Sequence, residues 1–223
     1  MWQDSGGTTP AAVDSPVGKI NDKSGNGNHA TQATAAARPM LREAGGLKYL
    51  DFDGVDDHLM STAAALRITG NLTLLAAIRK DSLSRFDMFM TCQTNAASVN
   101  QYEFRAANGA ASPVQLTFIA ADTTVESDSS TNILATAANK VISLRRNSGV
   151  EIEIGVNTTT ETATHTKVPT SDSNSEFRLG SRKGSALFFD GRMYSAIVVA
   201  RRISDSEIAN ARQYAASKAG ITL

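Results

Sequence analysis

The sequence predicts an all-β fold: a sandwich of two antiparallel sheets, with one short α-helix at the C-terminal end. Three observations predict it. Short apolar runs alternate with period two through most of the chain. Turn residues separate these runs at roughly ten-residue spacing. A single helical pattern with its own start and stop signals stands at the end.

The runs come first. Leu72, Leu74, Ala76 and Ile78 alternate with Thr73, Leu75, Ala77 and Arg79, and Tyr102, Phe104 and Ala106 alternate with Glu103 and Arg105. Val114, Leu116, Phe118 and Ala120 alternate with Gln115, Thr117 and Ile119, and Val150, Ile152, Ile154 and Val156 with Glu151, Glu153 and Gly155. A strand sends neighbouring side chains to opposite faces, so each run places one face on a core and the other toward water. Asn147-Ser148-Gly149 supplies a hairpin turn between Val141–Arg146 and Val150–Val156. Residues 1–46, 121–139 and 157–176 hold few large apolar groups and read as surface loops or edge strands.

The helix is expected over about Asp205–Ala219. Ser204-Asp205-Ser206-Glu207 forms a capping box, with Ile203 and Ile208 placed to staple across it. Ile208, Ala211, Ala215 and Ala219 give the buried stripe, and Gly220 suits a left-handed C-terminal turn.

The totals bound the function. A chain of 223 residues suits one β domain spanning 1–223. The 22 basic and 22 acidic residues cancel, with no strongly basic half, so no nucleic-acid partner is expected. No apolar stretch reaches membrane-spanning length, and the start of the chain lacks a basic region followed by an apolar run, so neither membrane insertion nor a secretory signal is expected. The single Cys92 lies in an apolar run and reads as a core residue. His29, His58 and His165 are scattered, with no metal-ligand spacing.

Candidate sites are few. Glu151 and Glu153 share a strand face about 6.5–7 Å apart at Cα, near the carboxyl separation of a glycosidase pair. Read simply, they are the solvent face of a hairpin strand with Arg145 and Arg146 as charge partners. Asp51, Asp53, Asp56 and Asp57 surround Gly54 and are the candidate ligands for Ca²⁺, a hard cation that takes six to eight oxygens. The simpler reading is an Asp-rich turn whose carboxylates accept backbone amides. No other cofactor is expected. Asp22-Lys-Ser-Gly-Asn-Gly-Asn28 lacks the closing glutamate of an EF-hand loop and reads as a tight turn. No serine stands in a nucleophile elbow, and Gly180-Ser-Arg-Lys-Gly184 lacks the ending of a phosphate loop, so it reads as a solvated basic hairpin tip. Trp2, Tyr49, Tyr102, Tyr194 and Tyr214 are the aromatic candidates for a sugar platform, and Trp2 is expected to pack the N-terminal segment onto the sandwich.

Three segments carry a family resemblance: Asp22–Ala30 with Arg38-Pro39, Tyr49–Asp57, and Phe189–Val199 leading into Ile203–Glu207. In this order they resemble the laminin G-like branch of the concanavalin A-like lectin/glucanase superfamily. The opening Trp2–Pro10 with Ala30–Arg38 resembles more narrowly domains of tailed-phage and prophage structural proteins. The resemblance implies a jelly-roll sandwich. It also implies a non-catalytic virion module that binds other virion proteins or a host cell-surface glycan, and it is compatible with a homo-oligomer. The alternative is a calcium-assisted carbohydrate-binding lectin domain. Glucanases of the superfamily carry a third acid beyond the strand pair, and here Gly155 and Val156 stand in its place. The resemblance therefore implies no enzyme.

Overall fold

The computed structural model describes residues 1–82, 86–94, 100–106, 114–121, 125–134, 137–184 and 187–223. In chain order the strands are β1 (Ser15–Pro16), β2 (Lys19–Ile20), β3 (Ala30–Thr31), β4 (Met40–Ala44), β5 (Leu47–Asp53), β6 (Leu59–Ser61), β7 (Leu72–Lys80) and β8 (Asp87–Gln93). They continue as β9 (Asn100–Ala106), β10 (Val114–Ala121), β11 (Val125–Leu134), β12 (Asn139–Asn147), β13 (Glu151–Val156), β14 (Thr159–Thr164), β15 (Glu176–Leu179) and β16 (Asp190–Val199), before the helix α1 (Asp205–Lys218). The first sheet runs β1-β4-β5-β16-β7-β12-β13-β14 and the second β11-β10-β9-β8-β15-β6-β3-β2. Every paired register within them is antiparallel.

The period-two runs meet between the sheets. Leu72, Leu74, Ala76 and Ile78 of β7 join Ile152 and Ile154 of β13 from one side; Tyr102, Phe104 and Ala106 of β9 and Leu116, Phe118 and Ala120 of β10 join them from the other. Cys92 is a free thiol in this core, as expected of it. A buried Lys80–Asp87 ion pair ties β7 of one sheet to β8 of the other. The Thr- and Ser-rich stretches form the edges: β14 ends the first sheet and β11 the second. Residues 122–124 and 135–136 of the second such stretch lie outside the described residues. Residues 1–46 contribute β1 to β4, and Trp2 bridges to Lys19 and Pro10, holding the N-terminal segment against the sandwich.

The helix follows its signals closely. The Ser204 side chain accepts from the Glu207 amide while Glu207 accepts from the Ser204 amide. At the other end Gly220 has φ +64 and the Ile221 amide donates to Ala216 O at 3.0 Å, the left-handed closure that the glycine predicts. Ile208, Ala215, Ala216 and Ala219 then pack on Leu75, Ala77 and Val141, with Ile203 beside them. The outer face of β7 and β12 therefore meets a helix, where the alternation predicted water. Small alanines let the helix axis come close, so both faces of β7 are buried.

That cover corrects the reading of the hairpin strand. Glu153 stands opposite Arg145 in the register, and only 9% of its surface is exposed, because α1 lies over it. Arg145 binds both Glu153 oxygens, and Arg212 of the helix reaches Glu153 at 3.3 Å. Arg145 also reaches Asp205 at 2.6 Å. Arg146 corrects a second expectation. Among the described residues it pairs with no carboxylate, and its side chain enters the core, where it donates to the carbonyls of Gly70 (2.9 Å), Ile68 (3.2 Å) and Gln101 (3.4 Å). Burial lowers its pKa to about 10. A buried guanidinium is tolerable only when its donors are satisfied, and three carbonyls do this here.

Candidate functional site

Two constellations remain after the fold has used its charges. The first is the acidic turn after β5. Asp53, Asp56 and Asp57 bring one carboxylate oxygen each within 4.8 Å of one another, the one such group among the described residues. Asp51 is not part of it. It stands on the outer face of the first sheet, opposite Arg192 in the register and 3.8 Å from Arg42. The turn is built by backbone amides. Asp53 Oδ1 accepts from Val55 (2.8 Å), Asp56 (3.3 Å) and Asp57 (3.4 Å), and Asp57 Oδ2 accepts from Asp53 (3.1 Å). Burial, followed by the charges of Asp53 and Asp56, pushes the Asp57 carboxyl up to about 7. The Asp22 loop closes in the same manner, Asp22 accepting from Ser24 at 2.8 Å and Asn28 at 3.1 Å.

The second constellation lies on the outer face of the second sheet. Ile119, Glu103, Thr91, Arg178, Met60 and Thr31 stand opposite one another in a single row across β10, β9, β8, β15, β6 and β3. The helix α1 packs on β7, β12 and β16 of the other sheet, yet Glu103 and Thr91 of this row are fully buried. A hairpin covers the row in part: Gly180–Arg182 runs back against Leu187–Phe189, with Phe189 donating to Gly180 O at 2.8 Å and Arg182 to Leu187 O at 3.1 Å. Gly180 has φ +81, and a Cβ there would collide with the Phe52 ring, so only glycine turns the chain at this point.

The basic tip is therefore folded onto the sheet instead of standing in solvent. Thr91 donates to Ser181 O at 2.9 Å, and Gln93 to Lys183 O at 3.2 Å. Arg182 reaches Glu103 at 3.4 Å and Lys183 reaches Glu176 at 3.0 Å. Within the strands, Arg105 pairs with Glu103 at 2.8 Å and Arg178 with Glu176 at 3.1 Å. Burial raises the Glu103 pKa against the pull of Arg105 and Arg182. For Glu176 burial is outweighed by the hydrogen bonds from Lys183 and Arg178, and its pKa is lowered. Several buried polar atoms here have no partner within the protein: Gln93 Oε1, Thr94 Oγ1, Ser175 Oγ and Arg105 Nε. Each such group costs about 1–3 kcal/mol if left dry. Aromatic surface is at hand, with the Arg105 guanidinium 4.6 Å above the Phe86 ring and the Phe188 ring 6.2 Å from His58.

Sequence reasoning did not find this face. Its polar residues sit in the alternating runs as ordinary outward positions, and only the register aligns them. The tyrosines proposed as a platform are used elsewhere. Tyr102 is buried and donates to Leu66 O at 2.8 Å; Tyr49 and Tyr194 stack at 5.4 Å. Tyr214 is exposed on α1.

No family model and no curated protein sequence matches the chain. Solved structures do. An arabinofuranosidase complexed with arabinofuranosyl-α-1,2-xylobiose matches with TM-score 0.67 at 12% identity, over 91% of this chain and 51% of that one. Domain 4 of an extracellular GH43 arabinanase from Geobacillus stearothermophilus, in complex with arabinotriose, matches with TM-score 0.61 at 9% identity, over 77% and 80%. The CBM40 of a Ruminococcus gnavus sialidase, bound to α2,3-sialyllactose, matches with TM-score 0.53 at 12% identity, over 67% and 86%. This chain spans about half the length of the arabinofuranosidase. Identities this low speak for architecture alone, and what they establish is a two-sheet antiparallel jelly-roll sandwich with one C-terminal helix.

Proposed function

We propose that this chain is a non-catalytic carbohydrate-recognition module, with its ligand lying across the outer face of the second sheet. One observation carries the reading: three buried polar atoms without a hydrogen-bond partner, Gln93 Oε1, Thr94 Oγ1 and Ser175 Oγ, gather where the end of β8 meets the start of β15, Gln93 standing opposite Glu176. Sugar hydroxyls offer both donors and acceptors to such groups, and flanking rings such as Phe86 and Phe188 give apolar contact to a pyranose face. On the outer face of the first sheet, α1 occupies the part over β7, β12 and β16. Sugar complexes among the similar structures support the same reading. The strand carboxylates do not form a catalytic pair. Glu153 is held by Arg145 and Arg212, and Glu151 lies 3.5 Å from Arg202.

The segments that resemble tailed-phage proteins would set such a module on a virion, facing a host cell-surface glycan. That setting rests on sequence resemblance alone. A glycan array probed with the purified chain tests the main reading. Binding should appear, Gln93→Leu should weaken it without lowering the melting temperature, and reducing-sugar release should stay at background. Failure to bind any glycan refutes the reading.

A further inference from the structure

The charges on the outer face of the second sheet are unequal in number. Among the described residues, four cations share two carboxylates there. Glu103 holds Arg105 from its own strand and Arg182 from the hairpin; Glu176 holds Arg178 from its own strand and Lys183 from the hairpin. The arrangement is the same twice over, one acid between a strand cation and a hairpin cation. Each set carries one positive charge in excess. The four basic side chains are 16%, 16%, 24% and 14% exposed, so they are reachable from outside yet poorly hydrated. Excess charge in such a place is costly unless an anion answers it.

The Glu103 set is the less well compensated. Arg105 Nε is buried and donates to nothing in the protein, and the guanidinium stands over the Phe86 ring, its carbon 4.6 Å from the ring centre. Among the described residues Arg182 has Glu103 as its one ionic partner, at 3.4 Å, longer than the other three pairs. Burial makes Glu103 the weaker of the two counter-ions. Resting on the sugar-binding reading above, we propose that the ligand of this face is an acidic sugar, and that its carboxylate is received by the Arg105 and Arg182 guanidinium groups. A planar guanidinium matches a carboxylate in two parallel hydrogen bonds, which a neutral sugar cannot supply. The neighbouring Gln93 Oε1 and Thr94 Oγ1, which have no protein partner, then take ring hydroxyls, and the specificity lies in the charge.

The test uses uronate and sialylated oligosaccharides, each beside its carboxyl-reduced counterpart, in calorimetric titrations with the intact chain. The acid form should bind at least about tenfold tighter than the reduced form, the ratio expected of one charge-assisted hydrogen bond. Added salt should shrink that ratio. Arg105→Gln and Arg182→Gln should each bring it close to one. Arg105 is the more buried, so Arg182→Gln on the hairpin serves as the variant less dependent on the fold, with its melting temperature recorded alongside. Equal affinity for acid and reduced forms overturns the inference while leaving sugar recognition standing. So does an acid preference that survives both substitutions. Absence of binding to every glycan, acid or neutral, removes the reading beneath it.

Discussion

Asp57 is buried beside two other carboxylates. Its pKa is pushed up to about 7, from an ordinary aspartate value of about 4. Between those values the folded state keeps a proton that the unfolded chain has released. Stability contributed by the turn therefore falls as pH rises from about 4 to about 7, and stays lower above it. Asp57→Asn keeps an acceptor for the Asp53 amide and removes the charge. The variant should melt above the parent at pH 8 and level with it at pH 4, with chelator present in both scans. Millimolar Ca²⁺ should leave the parent unchanged, because amides already serve Asp53. A rise with Ca²⁺ that Asp57→Asn removes would assign a cation to the turn, since only ligand binding to the folded state adds to its stability. At this scale the sequence was partly legible. The acid cluster and its amide-accepting role were visible in the Asp-Gly-Val-Asp-Asp spacing. That Asp51 faces Arg42 and Arg192 was not, because a pleat decides it and the pleat belongs to the sheet.

Among the elements, α1 is the one whose limits the sequence carries almost complete. Ser204 and Glu207 satisfy each other's amides, and Arg201 holds Glu207 at 2.6 Å from outside. Ser204→Ala should cost about 0.5–2 kcal/mol in denaturant melts, the loss of one N-cap. A neutral result would mean that the Arg201–Glu207 pair alone fixes the first turn. What the helix covers was harder to read. Leu75, Ala77, Ile197 and Val199 are apolar on the side of β7 and β16 that faces away from the core, and this was the available sign that something apolar must lie there. Taken strand by strand, Glu153 looked solvated because its neighbours Glu151 and Arg145 are charged. The helix arrives from fifty residues downstream, and no local pattern announces it. The 180–189 hairpin was missed for a related reason. A basic Gly-bounded tip is usually solvated, and its docking depends on two glutamates from β9 and β15 brought together only by the register.

For the molecule as a whole, the two outer faces differ: α1 packs on β7, β12 and β16 of the first, while the second is polar, with the Gly180–Lys183 turn docked on its buried charges. Removing residues 204–223 should strip the first face, leaving Leu75, Ala77 and Val141 bare and the Arg145–Glu153 pair open to water without Arg212. The shortened chain should self-associate in size-exclusion chromatography and take up an apolar dye. If it stays monomeric and melts as the full chain does, the helix is no lid. The fold class was legible from alternation and turns because β9, β10 and β13 place alternate residues in the core. The division of labour between the faces was not, because it depends on what crosses each sheet. That division has a consequence for attachment. On the proposed reading, a sandwich that takes its ligand on one face is monovalent and does not bridge two glycan strands by itself. Holding two copies on a tether that spans both targets raises apparent affinity by about 10²–10⁴ with no new contact. For such a module, firm grip is a matter of how many copies stand side by side.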